Sequence, residues 1–253
     1  MSAKADTRMK RWQEQRWILD AVIRTVGIEW DQGRVGYGSA PGGAQSVAEF
    51  RATAAKIKRV GDFVREFSNT AKRREAKAEK FEAEGRLLSA RTSYLGASLL
   101  WAAARWPIFV TNEELEHLEV RMNHTFAKYI DLERRPIEIV RIPFQGKELP
   151  AYLHLPHAPA PGETFPCCIN IPGMDSSKET GVMMHGDAFL ERGMAVLSID
   201  GPGQAESCAL GIHVTENNHM EAAVNVLDWL EKHPAIDNDN IVVRGTSFGT
   251  YWG

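Results

Sequence analysis

Hydrophobic residues recur at helical spacing from about Lys10 to Arg135, and the alternation typical of strands is nearly absent from this half of the chain. Ser46 and Glu49 form an S-x-x-E capping box, which predicts a helix that starts at Ser46. One face of this helix is apolar, with Val47, Phe50, Ala54, Ile57, Val60, Val64 and Phe67.

Two further helices are predicted to stop ahead of a proline, which cannot continue a helix. Residues 70–106 form one long or broken helix before Pro107. A second capping box, Thr111 with Glu114, predicts a helix that ends before Pro136.

A first helix is predicted over residues 12–28, and the glycine-rich residues 33–43 that follow it are interpreted as a mobile loop. We therefore expect residues 1–135 to form an all-helical domain.

The pattern changes to short strands after Pro136. Residues 137–142 and 151–155 alternate on either side of a turn at Gln145-Gly146, which predicts an antiparallel hairpin. Three continuous apolar runs follow at residues 165–171, 194–199 and 241–243. Such runs are typical of strands that are buried on both faces of a parallel sheet.

Amphipathic helices separate these runs, one over residues 179–192 closed by Gly193 and one over residues 216–232. The second helix is predicted to face inward with Met220, Ala223, Val224, Leu227 and Leu230. Alternating strands and helices predict an α/β core with a mostly parallel sheet over residues 136–253, behind the all-helical domain.

The amino-acid composition excludes only a few classes of function. Thirty basic and thirty-three acidic side chains leave a formal charge of -3, which argues against a nucleic-acid or anionic-membrane surface. The three cysteines do not form a disulfide framework or a CxxC zinc site. Without an apolar leader or a run of eighteen apolar residues, we expect a soluble cytoplasmic protein.

The segment Gly245-Thr-Ser-Phe-Gly249 matches G-x-S-x-G directly after an apolar run. A nucleophilic serine stands on a sharp strand-to-helix turn, and glycines two residues before and after it let neighbouring backbone pass closely. Ser247 is therefore the candidate nucleophile. The alternative is a glycine-punctuated turn with an exposed serine.

A Pro-Gly break follows the third strand, in the segment Ile169-Asn-Ile-Pro-Gly-Met-Asp175. A tetrahedral intermediate needs two preorganised N–H donors. We expect these donors to be the amides of Phe248 and Met174. Asp200, at the end of the fourth strand, is interpreted as a structural acid that bonds amides of the following turn.

Three motifs resemble a known family: Pro172-Gly-Met-Asp-Ser-Ser-Lys-Glu179, Asp200-Gly-Pro-Gly-Gln-Ala-Glu206 and the Ser247 motif. Similar strings occur in the α/β-hydrolases grouped with 2,6-dihydroxypseudooxynicotine hydrolase, the polyketide-shortening hydrolases and the fermentation-respiration switch esterase-like proteins. That family places a helical cap before the core, as the periodicity predicts here.

The resemblance implies hydrolysis of a carbon–carbon bond next to a ketone, or of an ester, in a small-molecule substrate. It implies no metal and no organic cofactor, and it leaves a homodimer open. It also implies that Asp175, in the oxyanion loop, handles substrate, although aspartate stands where the family pattern has glutamate. The alternative for Asp175 is a helix N-cap, a role for which Ser176 and Ser177 compete.

A serine nucleophile needs a histidine base and an acid, which in this fold follow the serine along the chain. Only six residues follow Ser247, and none is acidic or histidine. We therefore expect a fragment of a longer hydrolase, inactive and poorly soluble alone, with the strand at residues 241–243 left as an uncovered edge. His213 and His219 are expected at the surface, and His233 at a helix end.

Tyr94, Trp101, Trp106 and Phe109 are candidate walls of a substrate pocket, although aromatic residues at helical spacing are more often core. Two alternatives to the carbon–carbon hydrolase stay open. One is a general carboxylesterase, and the other is a noncatalytic protein that uses the fold for binding.

Overall fold

The computed structural model describes residues 7–28, 35–36, 42–108, 110–181 and 187–252. Helices come first: α1 (Thr7–Val26), α2 (Gly43–Ala54), α3 (Phe63–Ala83), α4 (Leu87–Arg105) and α5 (Glu113–Asp131). Among the described residues strands begin only at residue 137, so the change of pattern after Pro136 marks the start of the sheet as predicted. The mobile-loop prediction for residues 33–43 falls mostly outside the described residues.

The predicted helix from Ser46 to Phe67 is wrong in its start and in its continuity. Helix α2 begins three residues before Ser46, whose side chain is buried within the helix and therefore does not cap it. The helix is interrupted because two carboxylates bind backbone amides: Asp62 accepts from Lys58 and Arg59, and Asp20 accepts from Val60.

The apolar face predicted for that segment is nevertheless largely buried. It joins α1, α4 and α5 in one hydrophobic cluster that includes Phe50, Ile57, Val60, Phe67, Trp101 and Met122. The break between α3 and α4 falls at Gly85, whose φ of +71° is a conformation that favours glycine. Residues 70–106 therefore form a broken helix, one of the two forms that the pattern allowed.

Helix α5 also starts later than the second capping box predicts. Its N-cap is Asn112, in extended conformation, and the Asn112 side chain accepts a hydrogen bond of 2.8 Å from the Leu115 amide. Thr111 lies outside the helix and instead donates a hydrogen bond to the carbonyl of Cys208. The Thr111 cap is therefore wrong by one residue.

In the part of the chain that the structure describes, five strands form one mixed sheet in the order β1-β2-β4-β3-β5. Their bounds are β1 (Ile137–Phe144), β2 (Lys147–His154), β3 (Phe165–Ile171), β4 (Ala195–Ile199) and β5 (Ile236–Gly245). Strands β1, β2 and β4 pair antiparallel, whereas β3 pairs parallel with both β4 and β5. The predicted hairpin is confirmed, with positive φ at Gln145 and Gly146.

The helices that connect the strands are α6 (Lys178–Gly181), α7 (Asp187–Leu190), α8 (Ala205–Ala209) and α9 (Asn218–Leu230), and α10 (Gly249–Trp252) follows β5. The predicted helix 179–192 corresponds to α6 and α7, and the residues between them lie outside the described part. Gly193, with φ of +78°, follows α7 as predicted.

The face predicted to be buried on α9 is wrong except at Leu230, which is buried as predicted. The residues that join the core of the sheet are Ala222, Val226 and Leu230. Met220, Ala223, Val224 and Leu227 are exposed. Strand β5 lies at the edge of the sheet, as expected, with Val242 and Val243 exposed. Two adjacent faces of α9 are apolar, and the sequence pattern alone does not show which of them packs against the sheet.

Helices and sheet meet through aromatic packing. The Tyr152 ring of β2 stacks on Phe126 of α5 with ring centroids 4.8 Å apart, and both belong to a cluster with Tyr94 and Tyr129. This contact seats the helical part on the face of the sheet that carries the Tyr152 side chain.

Candidate active site

Ser247 lies on a sharp turn between β5 and α10. Its φ is +53°, a left-handed conformation that is uncommon outside glycine, and its side chain is exposed. A β-carbon on Gly245 would overlap the backbone of Gly249, and one on Gly249 would overlap the carbonyl of Ile171. The two glycines of the motif are therefore required by close backbone approach.

The Pro172–Lys178 loop, here called the oxyanion loop, begins beside this turn. The Thr246 amide donates a 3.1 Å hydrogen bond to the carbonyl of Ile171, immediately before the loop. A β-carbon on Gly173 would lie 3.3 Å from the β-carbon of Ser247. Met174 and Asp175 follow at the exposed centre of the loop. The structure thus brings the two motifs together, while the roles of the Met174 and Phe248 amides stay predictions.

The turn after β4 holds both ends of the oxyanion loop. Gln204 donates from Nε2 to the carbonyl of Pro172, and its Oε1 accepts a 2.8 Å hydrogen bond from the Gly201 amide. Asp200 accepts at 2.7 Å from the Lys178 amide and at 3.3 Å from the Glu206 amide. The interpretation of Asp200 as a structural acid agrees with these bonds.

Asp200 is fully buried, and burial raises its pKa to about 7 even though the Lys178 ammonium opposes that shift. Lys178 is also buried, and its Nζ lies within ion-pair distance of Glu179, Asp200 and Glu206. Sequence reasoning missed this cluster. All four residues stand in the motif strings, but nothing in a sequence shows that a lysine between polar neighbours is buried.

A cavity of about 610 Å³ lies between the helices and the oxyanion loop. From the helical part it is lined by Arg105, Trp106, Ile108, Val110, Thr111 and Leu115. From the sheet part it is lined by Met174, Asp175, Gly203, Ala205, Cys208 and His213. The cavity therefore opens on the two loop residues that the sequence singled out.

Of the aromatic candidates for this wall, Trp106 alone lines the cavity among those described. Tyr94 and Trp101 are each 1% exposed and belong to the core, which is the alternative that their helical spacing favoured. Tyr94 donates a 2.6 Å hydrogen bond to Glu82, a partner that holds its ring inside the helical layer. Phe109 lies outside the described residues.

The structure places one of the three histidines differently from the prediction. His219 is buried, not at the surface, and its ring stands edge-on to Phe248 with centroids 6.2 Å apart. Burial lowers the pKa of His219. His213 is exposed at the mouth of the cavity, and His233 pairs with Glu138 at the end of α9. No hydrogen bond joins the Ser247 hydroxyl to a histidine within the residues that the structure describes.

In the described ranges, no helix is both long and apolar enough to cross a membrane. Nor do three or more histidine, cysteine or acidic side chains come together there as a metal-binding group.

The sheet order, the turn at Ser247 and the adjoining loop define an α/β-hydrolase. Residues 43–252 match the family described as Esterase FrsA-like, and the chain belongs to this family. The resemblance drawn from the three motifs is thereby confirmed.

Individual relatives agree with this assignment. The chain is 31% identical over 264 residues to the alpha/beta hydrolase ucsC of an Acremonium species, which covers 96% of this chain and 51% of that protein. It is 32% identical over 175 residues to the 2,6-dihydropseudooxynicotine hydrolase of Paenarthrobacter nicotinovorans, covering 69% of this chain and 46% of that one. The chain thus spans about half the length of these curated relatives.

A solved structure shows the same architecture. The crystal structure of 2,6-dihydroxy-pseudo-oxynicotine hydrolase superposes with a TM-score of 0.69 and 27% identity. The match covers 87% of this chain and 58% of that chain. Because the match covers 87% of this chain, it includes residues of the helical part as well as the sheet.

Proposed function

We propose that this chain carries the nucleophile and the oxyanion hole of a serine hydrolase. Ser247 is the nucleophile, and the amides of Met174 and Phe248 are the donors to the tetrahedral intermediate. The observation that carries the proposal is the left-handed backbone of Ser247 next to Gly173. A strained, exposed serine of this kind is expected where the strain serves a function.

We further propose that residues 1–135 act as the cap and residues 136–253 as part of the hydrolase core. The cavity of about 610 Å³ between them falls within the roughly 300–1,000 Å³ that small organic ligands occupy. Its lining is mainly apolar, with Asp175 at the loop side, and we assign Asp175 to substrate binding.

The proposed reaction is attack of the Ser247 hydroxyl on a carbonyl carbon, after which the bond from that carbon to the leaving group breaks and the serine proton goes to the leaving group. Water then hydrolyses the acyl-enzyme, which releases a carboxylic acid and restores the Ser247 hydroxyl. In a ketone substrate the broken bond joins two carbons, and in an ester it joins carbon and oxygen. The protein residues supply the nucleophile and the hydrogen-bond donors, with no metal or organic cofactor in the scheme. The family description as esterase-like supports the carboxylesterase alternative, and similarity to 2,6-dihydropseudooxynicotine hydrolase supports the leading one.

A fluorophosphonate probe tests the nucleophile. In the whole protein that contains this sequence, the probe should attach to Ser247, and Ser247→Ala should abolish the attachment. Absence of labelling in the unsubstituted protein would favour a noncatalytic binding role. Our prediction that the 253-residue chain alone is inactive is tested in the same assay, where rapid labelling of that chain would contradict it.

The bond type needs a second assay on the same protein. Turnover of 1,3-diketones exceeding that of aryl esters would support carbon–carbon cleavage. The reverse preference would assign the protein to the carboxylesterases. Both activities should disappear in Ser247→Ala, and an activity that survives the substitution does not belong to this site.

A further inference from the structure

The oxyanion loop is exposed at its centre and buried at its ends. Met174 and Asp175 are exposed, whereas residues 172–173 and 177–178 are buried. An exposed segment has few packing contacts of its own to fix it. The position of the Met174 amide therefore depends on what holds the two buried ends.

Lys178 is the second of these ends, and both its backbone amide and its backbone carbonyl form hydrogen bonds. Its amide donates a 2.7 Å hydrogen bond to Oδ1 of Asp200, and its carbonyl accepts a 2.9 Å hydrogen bond from Oγ of Ser198. Both partners belong to β4 or to the residue directly after it. The end of the loop is thus fixed to a central strand of the sheet.

The Lys178 side chain adds a second set of contacts from the same residue. The side chain is 1% exposed, and its ammonium lies 2.7 Å from Glu179, 2.7 Å from Glu206 and 3.2 Å from Asp200. A fourth contact reaches the helical part, where Oδ1 of Asn123 on α5 accepts at 3.2 Å. Burial alone would lower the pKa of Lys178, but these carboxylates hold it well above its usual range.

We propose that Lys178 is a positioning residue that holds the oxyanion loop against Ser247 and joins that loop to the helical part. The proposal rests on the function proposed above. Three buried carboxylates share this one ammonium, and among the described residues only Glu206 forms an ion pair with another cation, Arg141 at 2.7 Å. Without Lys178 the carboxylates would repel one another, and a buried charge that loses its partner is strongly unfavourable.

The loop is the part of this cluster that can move, because its centre is exposed. We therefore expect loss of the ammonium to displace the Met174 amide from Ser247 while the cavity keeps its lining. Such a displacement weakens stabilisation of the transition state more than it weakens binding. Lys178 itself does not touch the reacting atoms in this scheme.

The test is the concentration dependence of fluorophosphonate inactivation in the whole protein, comparing Lys178→Met with the unsubstituted sequence. The maximal inactivation rate constant should fall by about 10-fold or more, because a misplacement of about 1 Å can cost about 100-fold. The half-saturating probe concentration should change by less than about twofold. The proposal is overturned if the maximal inactivation rate constant is unchanged, including the case in which only the half-saturating probe concentration changes.

Two controls separate the possible failures. Lys80→Met makes the same chemical change at a lysine whose side chain is 73% exposed on α3, and it should label like the unsubstituted protein. Ser247→Ala tests the function itself. If Ser247→Ala labels normally, the proposed function fails, whereas normal labelling of Lys178→Met alone removes only the role of Lys178.

Lys178→Met can also fail to fold, because it leaves buried carboxylates unpaired. Asn123→Ala then decides the question, since it removes a single neutral contact to the ammonium at a half-buried position. With an unchanged unfolding temperature, a fall in its maximal rate constant of about threefold, the loss of roughly one hydrogen bond, supports the proposal. An unchanged rate constant overturns it.

Discussion

Gly173 and Ser247 are so close that a β-carbon added to the glycine would stand 3.3 Å from the β-carbon of the serine. The same added atom would lie 3.3 Å from the carbonyl oxygen of Thr246 and 3.4 Å from Oγ of Ser176. The two distances of 3.3 Å are tight, and one of them is to backbone. The absence of a side chain at position 173 therefore decides how closely the oxyanion loop approaches the turn at Ser247.

Gly173→Ala should slow the reaction of Ser247 without unfolding the protein. The added methyl group must push the loop or the turn apart by a few tenths of an ångström, and this moves the Met174 amide. We expect fluorophosphonate labelling to slow by up to the ~100-fold that loss of one oxyanion donor costs. The measurement is the labelling rate, with circular dichroism as a check of folding.

Gly61→Ala is the matched control for this substitution. Its added methyl group would meet only the end of the flexible Arg16 side chain, at 3.4 Å. Labelling at the unsubstituted rate is expected for Gly61→Ala. Equal rates in Gly173→Ala and Gly61→Ala would show that the approach of Gly173 to Ser247 does not matter for reactivity.

The sequence predicts this region well because its constraints are local. A strand, a glycine-flanked serine and a Pro-Gly break can each be read from neighbouring residues, and the fold brings the carboxyl ends of β3 and β5 together. Helix starts were predicted less well. At Ser46 and Thr111 the capping pattern is present, but tertiary contacts decide which residue takes the cap.

Asn112→Ala should destabilise the protein by about 1 kcal/mol, the usual cost of losing an N-cap side chain. The Asn112 side chain is the acceptor for the Leu115 amide at the start of α5. Chemical denaturation measures the loss. Thr111→Ala is the informative comparison, because the capping-box pattern assigns the cap to Thr111. A larger loss for Thr111→Ala than for Asn112→Ala would support the pattern over the structure.

The burial of the cluster around Lys178, by contrast, could not be predicted from the sequence. Lys178 and Glu179 are adjacent and would ordinarily be assigned to a solvated surface. They are buried because Tyr152, Asn123 and Asp200 converge on them from β2, α5 and the end of β4. Contacts between segments so distant in sequence depend on the complete fold.

Arg105 and Glu119 form a second buried ion pair, between α4 and α5 at the wall of the cavity. Burial raises the pKa of Glu119, and the Glu119 carboxylate helps raise the pKa of Arg105 despite burial. Glu119→Leu should destabilise by about 3–5 kcal/mol, because it leaves the guanidinium buried without its partner. Urea unfolding measures the change.

The double variant Arg105→Met with Glu119→Leu checks that explanation. Removing both charges leaves no unpaired group, so the double variant should be more stable than Glu119→Leu alone. Losses that simply add would mean that the two side chains do not interact.

His154 should make the protein less stable in mild acid. Its side chain on β2 is 3% exposed, and no hydrogen bond to Nε2 is found among the described residues. Burial, with a smaller contribution from Arg135, lowers its pKa to about 3, against about 6.5 in an unfolded chain. Between these values the unfolded chain binds a proton that the folded protein does not. The free energy of unfolding should therefore fall by about 1.4 kcal/mol per pH unit below 6.5 from this residue alone.

His154→Leu removes this linkage while keeping an apolar side chain in the core. Denaturation at a series of pH values from 7.5 to about 4.5 should show a shallower decline for His154→Leu than for the unsubstituted protein. His157→Leu reports the effect of losing an exposed histidine instead. If both variants change the slope equally, the effect does not arise from burial of His154. A decline that begins above pH 7.5 would place its origin in another group.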